Sequence, residues 1–208
     1  MFWTKNKKKK IIPEGKMDYY EAIREKCLAF FREKEEKNIW EMAMECMDLE
    51  GLPMHCPPHH LLVPAVLLTA CARKEGKTEE ELEKMLTEAD KRSKKVLGGF
   101  CGNYGSCGAG VGVGIFLSVY TKTTPLSDVT WQWVNEATGR SLMKIASMEG
   151  PRCCKRNTFL AFDEAVEIIK ERLGLELERP AEVTCHYFRN NKECKKEKCP
   201  FYPAAVEE

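Results

Sequence analysis

The sequence predicts an all-α protein: a compact helical domain around a central apolar helix pair, with a short cysteine-rich metal-binding tail. Three observations carry this. Apolar residues recur at three-and-four spacing in one window after another, and no stretch shows the period-two alternation of a strand. Glycines, prolines and capping residues punctuate the windows where helices should start and stop. With 208 residues, 43% of them hydrophobic, the chain can bury one main core and carry a small appendage. The expected division is a disordered basic lead over 1–16, a helical domain over 17–180, and a cysteine-rich tail over 181–208.

The elements follow in order. Residues 1–16 are lysine-rich and read as a solvated lead. A helix is expected from Met17 to Glu35, with Tyr20, Ile23, Cys27, Phe30 and Phe31 on one face. A second spans Asn38 to Met47, with Ile39, Trp40, Met42, Ala43 and Cys46 inward, and Gly51-Leu52-Pro53 ends it. Pro57-Pro58 forces an extended entry to a third helix, which opens at His59 or His60 and is apolar nearly all round, hence central. Thr78 and Glu81 form a capping box. The charged helix after it runs to about Val96 and covers the outside with Leu82, Met85, Leu86 and Ala89. Cys107 stands where a glycine-rich loop turns into an apolar helix that reaches Tyr120. A further helix is expected from Val129 to Met148, with Trp131, Val134, Leu142, Ile145 and Ala146 inward. Gly150-Pro151 breaks it, and the last long helix covers Thr158 to Leu173 with Gly174 as its stop.

Composition sets limits on function. A net charge of +1 gives no global field toward nucleic acid or membrane. The apolar runs at 61–72 and 111–120 are too short to span a bilayer. Eleven cysteines without an apolar signal segment after MFWTKNKKKKII argue for a reducing cytoplasm and for metal chemistry rather than a disulfide scaffold. Cys27, Cys46 and Cys71 lie inside apolar helical patterns and read as small buried hydrophobes.

The remaining cysteines carry the chemistry. Phe100 to Thr121 holds two cysteines and six glycines. At Cys107 the positive end of the helix dipole favours a thiolate, and glycines let backbone approach an inorganic cluster. Cys101, Cys107, Cys153 and Cys154 stand on loops before helices, which points to a [4Fe–4S] cluster, with zinc or redox thiols as alternatives. His59 and His60 open the most apolar helix and are candidates to move a proton. Lys155 and Arg156 are candidates to hold a substrate carboxylate. In the tail, Cys185, Cys194 and Cys199 stand at C-x8-C-x4-C among aromatics and lysines. A segment this short needs a metal to order it, zinc or a second cluster. Its fourth ligand is open: His186, Cys56 or Cys101 of the body, solvent, or another chain.

Two resemblances rest on these motifs. HCPPHHLLVPAVL, CGAGVGVGIF, GPRCCKRN and the CPFYP end resemble, over most of the chain, an uncharacterised cysteine-rich domain family of anaerobes, found alone or joined to radical-SAM proteins. That family implies no activity. More distantly, SCGAGVGVGIFLSV is similar to the GCQxEVG turn-and-helix of iron–sulfur L-serine dehydratases. CCKRNTFLAFDEAV resembles their PCIERNAxxAV segment, and PHHLLVP their SSHTxGP segment. That likeness implies an all-helical fold, Cys107 and Cys153 as cluster ligands, and His60 as the catalytic histidine. Their third ligand lies in CDPxGG, which here is Met148-Glu149-Gly150-Pro151, so Cys101 or Cys154 must complete the set.

The expected function is a non-redox [4Fe–4S] enzyme of lyase type, active on a small hydroxyl- or thiol-bearing substrate. Elimination of water or hydrogen sulfide, or a desulfuration within sulfur metabolism, fits an open iron. The alternative is a metal-binding module. The tail resembles C-x8-C-x5-C-x3-H zinc fingers that bind single-stranded RNA, but its middle gap is one residue shorter and Pro203 replaces the histidine. A cluster carrier or electron-transfer partner of a radical-SAM enzyme is the third reading. No membrane partner is expected, and a homodimer is left open.

Overall fold

The computed structural model describes residues 17–204, so the basic lead over 1–16 lies outside the described residues. Eight α-helices and no strands make up the described part. α1 (Tyr19–Arg32) is capped by Asp18, and α2 (Ile39–Met47) by an Asn38–Glu41 capping box. α3 (His59–Lys74) follows Pro57-Pro58, and α4 (Glu79–Ser93) has the Thr78–Glu81 box. After a single turn, α5 (Phe100–Asn103), come α6 (Gly108–Tyr120), α7 (Val129–Ala146) and α8 (Cys154–Leu173). The short turn α5 has no apolar periodicity to announce it.

α3 is the centre. Every residue from Leu61 to Ala72 is buried, and α1, α2, α4, α6 and α8 all pack on it. α6 lies beside it as the second apolar helix, with Val113, Phe116 and Leu117 fully buried. Cys27, Cys46 and Cys71 are wholly buried in this core.

The glycines of α6 explain the closeness of the packing. A Cβ on Gly108 would stand 2.0 Å from the His60 ring, and one on Gly112 about 3.0 Å from Val63 and Pro64, all on α3. On the other face, Gly110 meets Leu142 at 2.8 Å and Gly114 meets the Thr138 hydroxyl at 2.0 Å, both on α7. Two glycine pairs at i, i+4 thus press α6 against α3 on one side and α7 on the other. The sequence pattern suggests cluster approach for these glycines; four of them serve helix packing instead.

α7 departs from its expected stripe. Trp131 and Ala146 are exposed, Val134, Leu142 and Ile145 are half-buried, and the helix buries only Ala137 and Ser141 completely. α8 also begins earlier than expected, at Cys154, with Cys153 as its N-cap.

The tail folds back on the body. A 3-10 turn at Tyr187–Arg189 and another at Lys196–Lys198 shape it, and the Cys185 N–H donates to the Phe201 carbonyl at 2.7 Å. Phe201 packs edge-on against Phe159 of α8, and the Tyr187 hydroxyl donates to the Met44 carbonyl at 3.0 Å. Among the described residues no helix is long and apolar enough to cross a membrane.

Candidate functional site

Three helix N-termini meet at one pocket of about 760 Å³. The start of α3 brings His55, Cys56 and His60; α5 and the turn into α6 bring Cys101 and Cys107; the start of α8 brings Arg152, Cys154, Arg156 and Asn157. The C-terminal end of α7 closes the far wall with Leu142, Ile145 and Met148. A helix N-terminus carries about half a positive charge, so three of them make the pocket receptive to anions.

Sharing several of these residues is a recess of about 30 Å³ lined by Cys101, Cys107, Cys154 and both His59 and His60. Cys107 is the N-cap of α6, in extended backbone at φ −62°, ψ 127°. The Asn157 amide donates to its sulfur at 3.2 Å. Thr158 also lines the recess, and its fully buried hydroxyl makes no hydrogen bond. An orphaned buried hydroxyl costs about 1–3 kcal/mol, which a group bound in the recess would relieve. Burial, with the neighbouring thiols Cys107 and Cys153 adding to it, pushes the Cys154 thiol up to about 12. Such a thiol gives up its proton when a metal takes its place.

The two histidines part company here. The His60 Nδ1–H donates to the Val96 carbonyl at 2.8 Å. Its Nε2 is therefore a lone-pair acceptor, and the ring faces both pocket and recess. Burial lowers its pKa, so the ring is neutral and can accept a proton. His59 is 3% exposed and bonded at both nitrogens: the Lys155 ammonium lies 2.7 Å from Nε2, and the Cys56 sulfur 3.2 Å from Nδ1. Burial first, and Lys155 second, bring its pKa down to about 3. Neutral His59 accepts from Lys155 at Nε2, and its Nδ1–H faces the Cys56 carbonyl oxygen and the Cys56 sulfur, both at 3.2 Å.

The two candidate anchors of a substrate carboxylate also separate. Arg156 lines the pocket although only 4% of it is exposed. Lys155 is 1% exposed, lies under His59 with its ammonium 4.9 Å from the Tyr187 ring centre, and does not line the pocket. Burial lowers the Lys155 pKa, while the thiols of Cys154, Cys56 and Cys153 and the Asp48 carboxylate act in the opposite sense. Among the described residues, neither cation has a carboxylate within ion-pair distance. The Arg156 guanidinium donates to the Pro151 carbonyl and the Asn157 side chain. Two adjacent buried cations at the positive end of a helix are costly unless an anion is close.

Cys153 and Cys154 diverge. Cys153 lines a second, smaller cavity with Cys185, Cys194 and Cys199. The cysteines outside the core thus fall into two groups, with Cys56, Cys101, Cys107 and Cys154 at the pocket. Among the described residues, no three His, Cys, Asp or Glu side chains are already gathered closely enough to hold a metal ion.

Two residues beyond the expected set, Arg152 and His55, complete the surroundings. Arg152 lines the pocket, and so does Cys56, which the sequence offers as a fourth ligand for the tail but which does not line the tail cavity. His55 accepts from the Cys154 N–H at 3.5 Å and lies 3.3 Å from the Asn191 side-chain oxygen, joining pocket to tail. The MHCPPHH stretch stands out for its histidines, but only the fold shows that His55 reaches the tail.

No curated protein and no solved structure matches this chain. Residues 23–202 match the model of a family of unknown function, DUF5714, and with that match spanning most of its length the chain belongs to this family.

Proposed function

We propose that the pocket is the active site of a [4Fe–4S]-dependent, non-redox enzyme of lyase type. It would remove water or hydrogen sulfide from a small hydroxyl- or thiol-bearing substrate, or desulfurate it. The observation that carries the reading is the recess in which three thiols, Cys101, Cys107 and Cys154, stand with the imidazole of His60 at converging helix N-termini. The buried cations, the orphaned Thr158 hydroxyl and the Asn157 amide on the Cys107 sulfur fit a thiolate-bound group carrying negative charge.

Those three cysteines would hold the cluster. When bound, it supplies a Lewis-acidic iron toward a hydroxyl or thiol leaving group. The rest falls to this chain. His60, neutral and fixed by Val96, takes the substrate proton at Nε2. Arg152 at the exposed rim and Arg156 in the wall offer guanidinium forks to a substrate carboxylate. Leu142, Ile145 and Met148 give the far wall an apolar surface.

The RNA-module reading is less well served. Tyr187 and Phe201 are buried, and Phe188 and Tyr202 pack edge to face at 5.1 Å, so the tail aromatics are engaged with protein rather than free for bases.

The test is EPR of the reduced, anaerobically prepared protein, with and without small hydroxy acids and thiols. The expected result is a cluster signal that shifts with at least one ligand class in wild type and persists in His60→Gln, which loses turnover. A signal indifferent to every ligand would favour a carrier or electron-transfer role.

A further inference from the structure

We propose that Cys153, Cys185, Cys194 and Cys199 form a second, four-thiolate metal centre, for a zinc ion or an iron–sulfur cluster, which pins the tail to the start of α8. The proposal uses none of the pocket thiols and does not rest on the pocket's function.

The geometry begins with a local fact. Cys153 is an extended N-cap at φ −139°, ψ 111°, and Cys154 is the first helical residue. Their side chains leave the backbone in different directions, so one sulfur enters each cavity. The cavity around Cys153 measures about 20 Å³ and has the three tail cysteines in its wall. That is about one water-sized space, room for a single ion before any rearrangement. The sulfurs stand wider apart than the spacing around a single ion, so binding would close them around this space.

N–H groups already face these sulfurs. The Asn191 amide donates to Cys153 at 3.5 Å, the Arg156 backbone N–H to Cys153 at 3.5 Å, and the Lys196 N–H to Cys194 at 3.4 Å. Such donors are the usual outer shell of metal thiolates. Asn191 is 7% exposed, and its side-chain oxygen is engaged by the Glu193 N–H at 3.1 Å, which aims its amide at the sulfur. The guanidinium-bearing Arg156 lines this cavity as well as the pocket, a buried cation between two sets of thiols. Metal-bound thiolates would place negative charge beside that buried cation.

The experiment uses the full chain, prepared anaerobically from cells supplied with both iron and zinc. Iron, zinc and acid-labile sulfide are counted per chain in wild type, Cys153→Ser, Cys194→Ser, Cys154→Ser and Cys107→Ser. Cys153→Ser and Cys194→Ser are expected to lose the same complement, which the other two variants keep. Loss of zinc identifies a mononuclear centre, and loss of iron with sulfide a cluster. The proposal is overturned if Cys153→Ser keeps what Cys194→Ser loses, or if neither loses metal. Should only the pocket reading be wrong, Cys154→Ser and Cys107→Ser match wild type while Cys153→Ser does not.

Wild-type alkylation, mapped by peptide before and after a chelator, covers the case of variants that fail to fold. The four thiols should pass from protected to labelled together. Labelling of Cys153 apart from the tail cysteines would contradict the assignment. Asn191→Ala should weaken metal retention about tenfold, as outer-shell changes do.

Discussion

His59 and His60 are chain neighbours, yet the first turn of α3 sends their rings into different surroundings. His60 looks into the pocket with one nitrogen free. His59 is buried between Lys155 and Cys56. Its folded pKa of about 3 lies below the ordinary 6.5, so the folded chain binds this proton less well than the unfolded chain. Stability from neutral His59 is therefore fully present above pH 6.5 and lost as the pH falls toward 3, with a slope of up to about 1.4 kcal/mol per unit. Urea titrations across that range should show a shallower slope for His59→Gln than for wild type. The sequence marks both histidines as unusual, but their separation depends on Lys155 and Val96, which lie far along the chain. Cys153 and Cys154 teach the same lesson. Their adjacency suggests a shared centre, and a single change of backbone conformation divides them between two cavities.

Among the elements, α6 is the most legible and also the easiest to misread. Its start at Cys107 and its end near Tyr120 follow from glycine, apolar run and turn chemistry. The role of its glycines does not, because helix packing and ligand approach ask for the same absent Cβ. The distances separate the two uses. Gly114→Ala would put a methyl into Thr138, whose hydroxyl is held by the Val134 carbonyl at 3.1 Å. It should destabilise the chain by about 1–3 kcal/mol in thermal or urea unfolding. Gly102 lines the pocket with nothing within 4 Å of an added Cβ. Gly102→Ala should leave stability within about 0.5 kcal/mol of wild type, while adding bulk that substrate would meet. The Thr78–Glu81 box, read from sequence and present as an N–H···O bond of 3.2 Å, sets a third value: Thr78→Ala should cost about 1 kcal/mol.

Three of the helices among the described residues are aimed at one point. α3, α6 and α8 begin at the same pocket, and the tail returns to seal the other side of the α8 start. The helix order and the central place of α3 are readable from periodicity alone, since burial on all sides leaves its mark in composition. The convergence of N-termini is not, because it depends on helix directions that no local pattern encodes. The tail belongs to this scale as well. Phe201 is buried against Phe159, so Phe201→Ala should cost about 3 kcal/mol and loosen the tail, measurable as faster proteolysis beyond Gly174. The buried Arg156 guanidinium, which lines both cavities, carries a charge that no carboxylate within ion-pair distance balances among the described residues. An anionic cluster on Cys101, Cys107 and Cys154 would balance it. The direct test is iron and acid-labile sulfide per chain in protein prepared without oxygen. About four of each in wild type beyond any tail complement, lost on Cys107→Ser, is the expected result. Iron-free, colourless wild type, or an iron content that Cys107→Ser leaves unchanged, would contradict it.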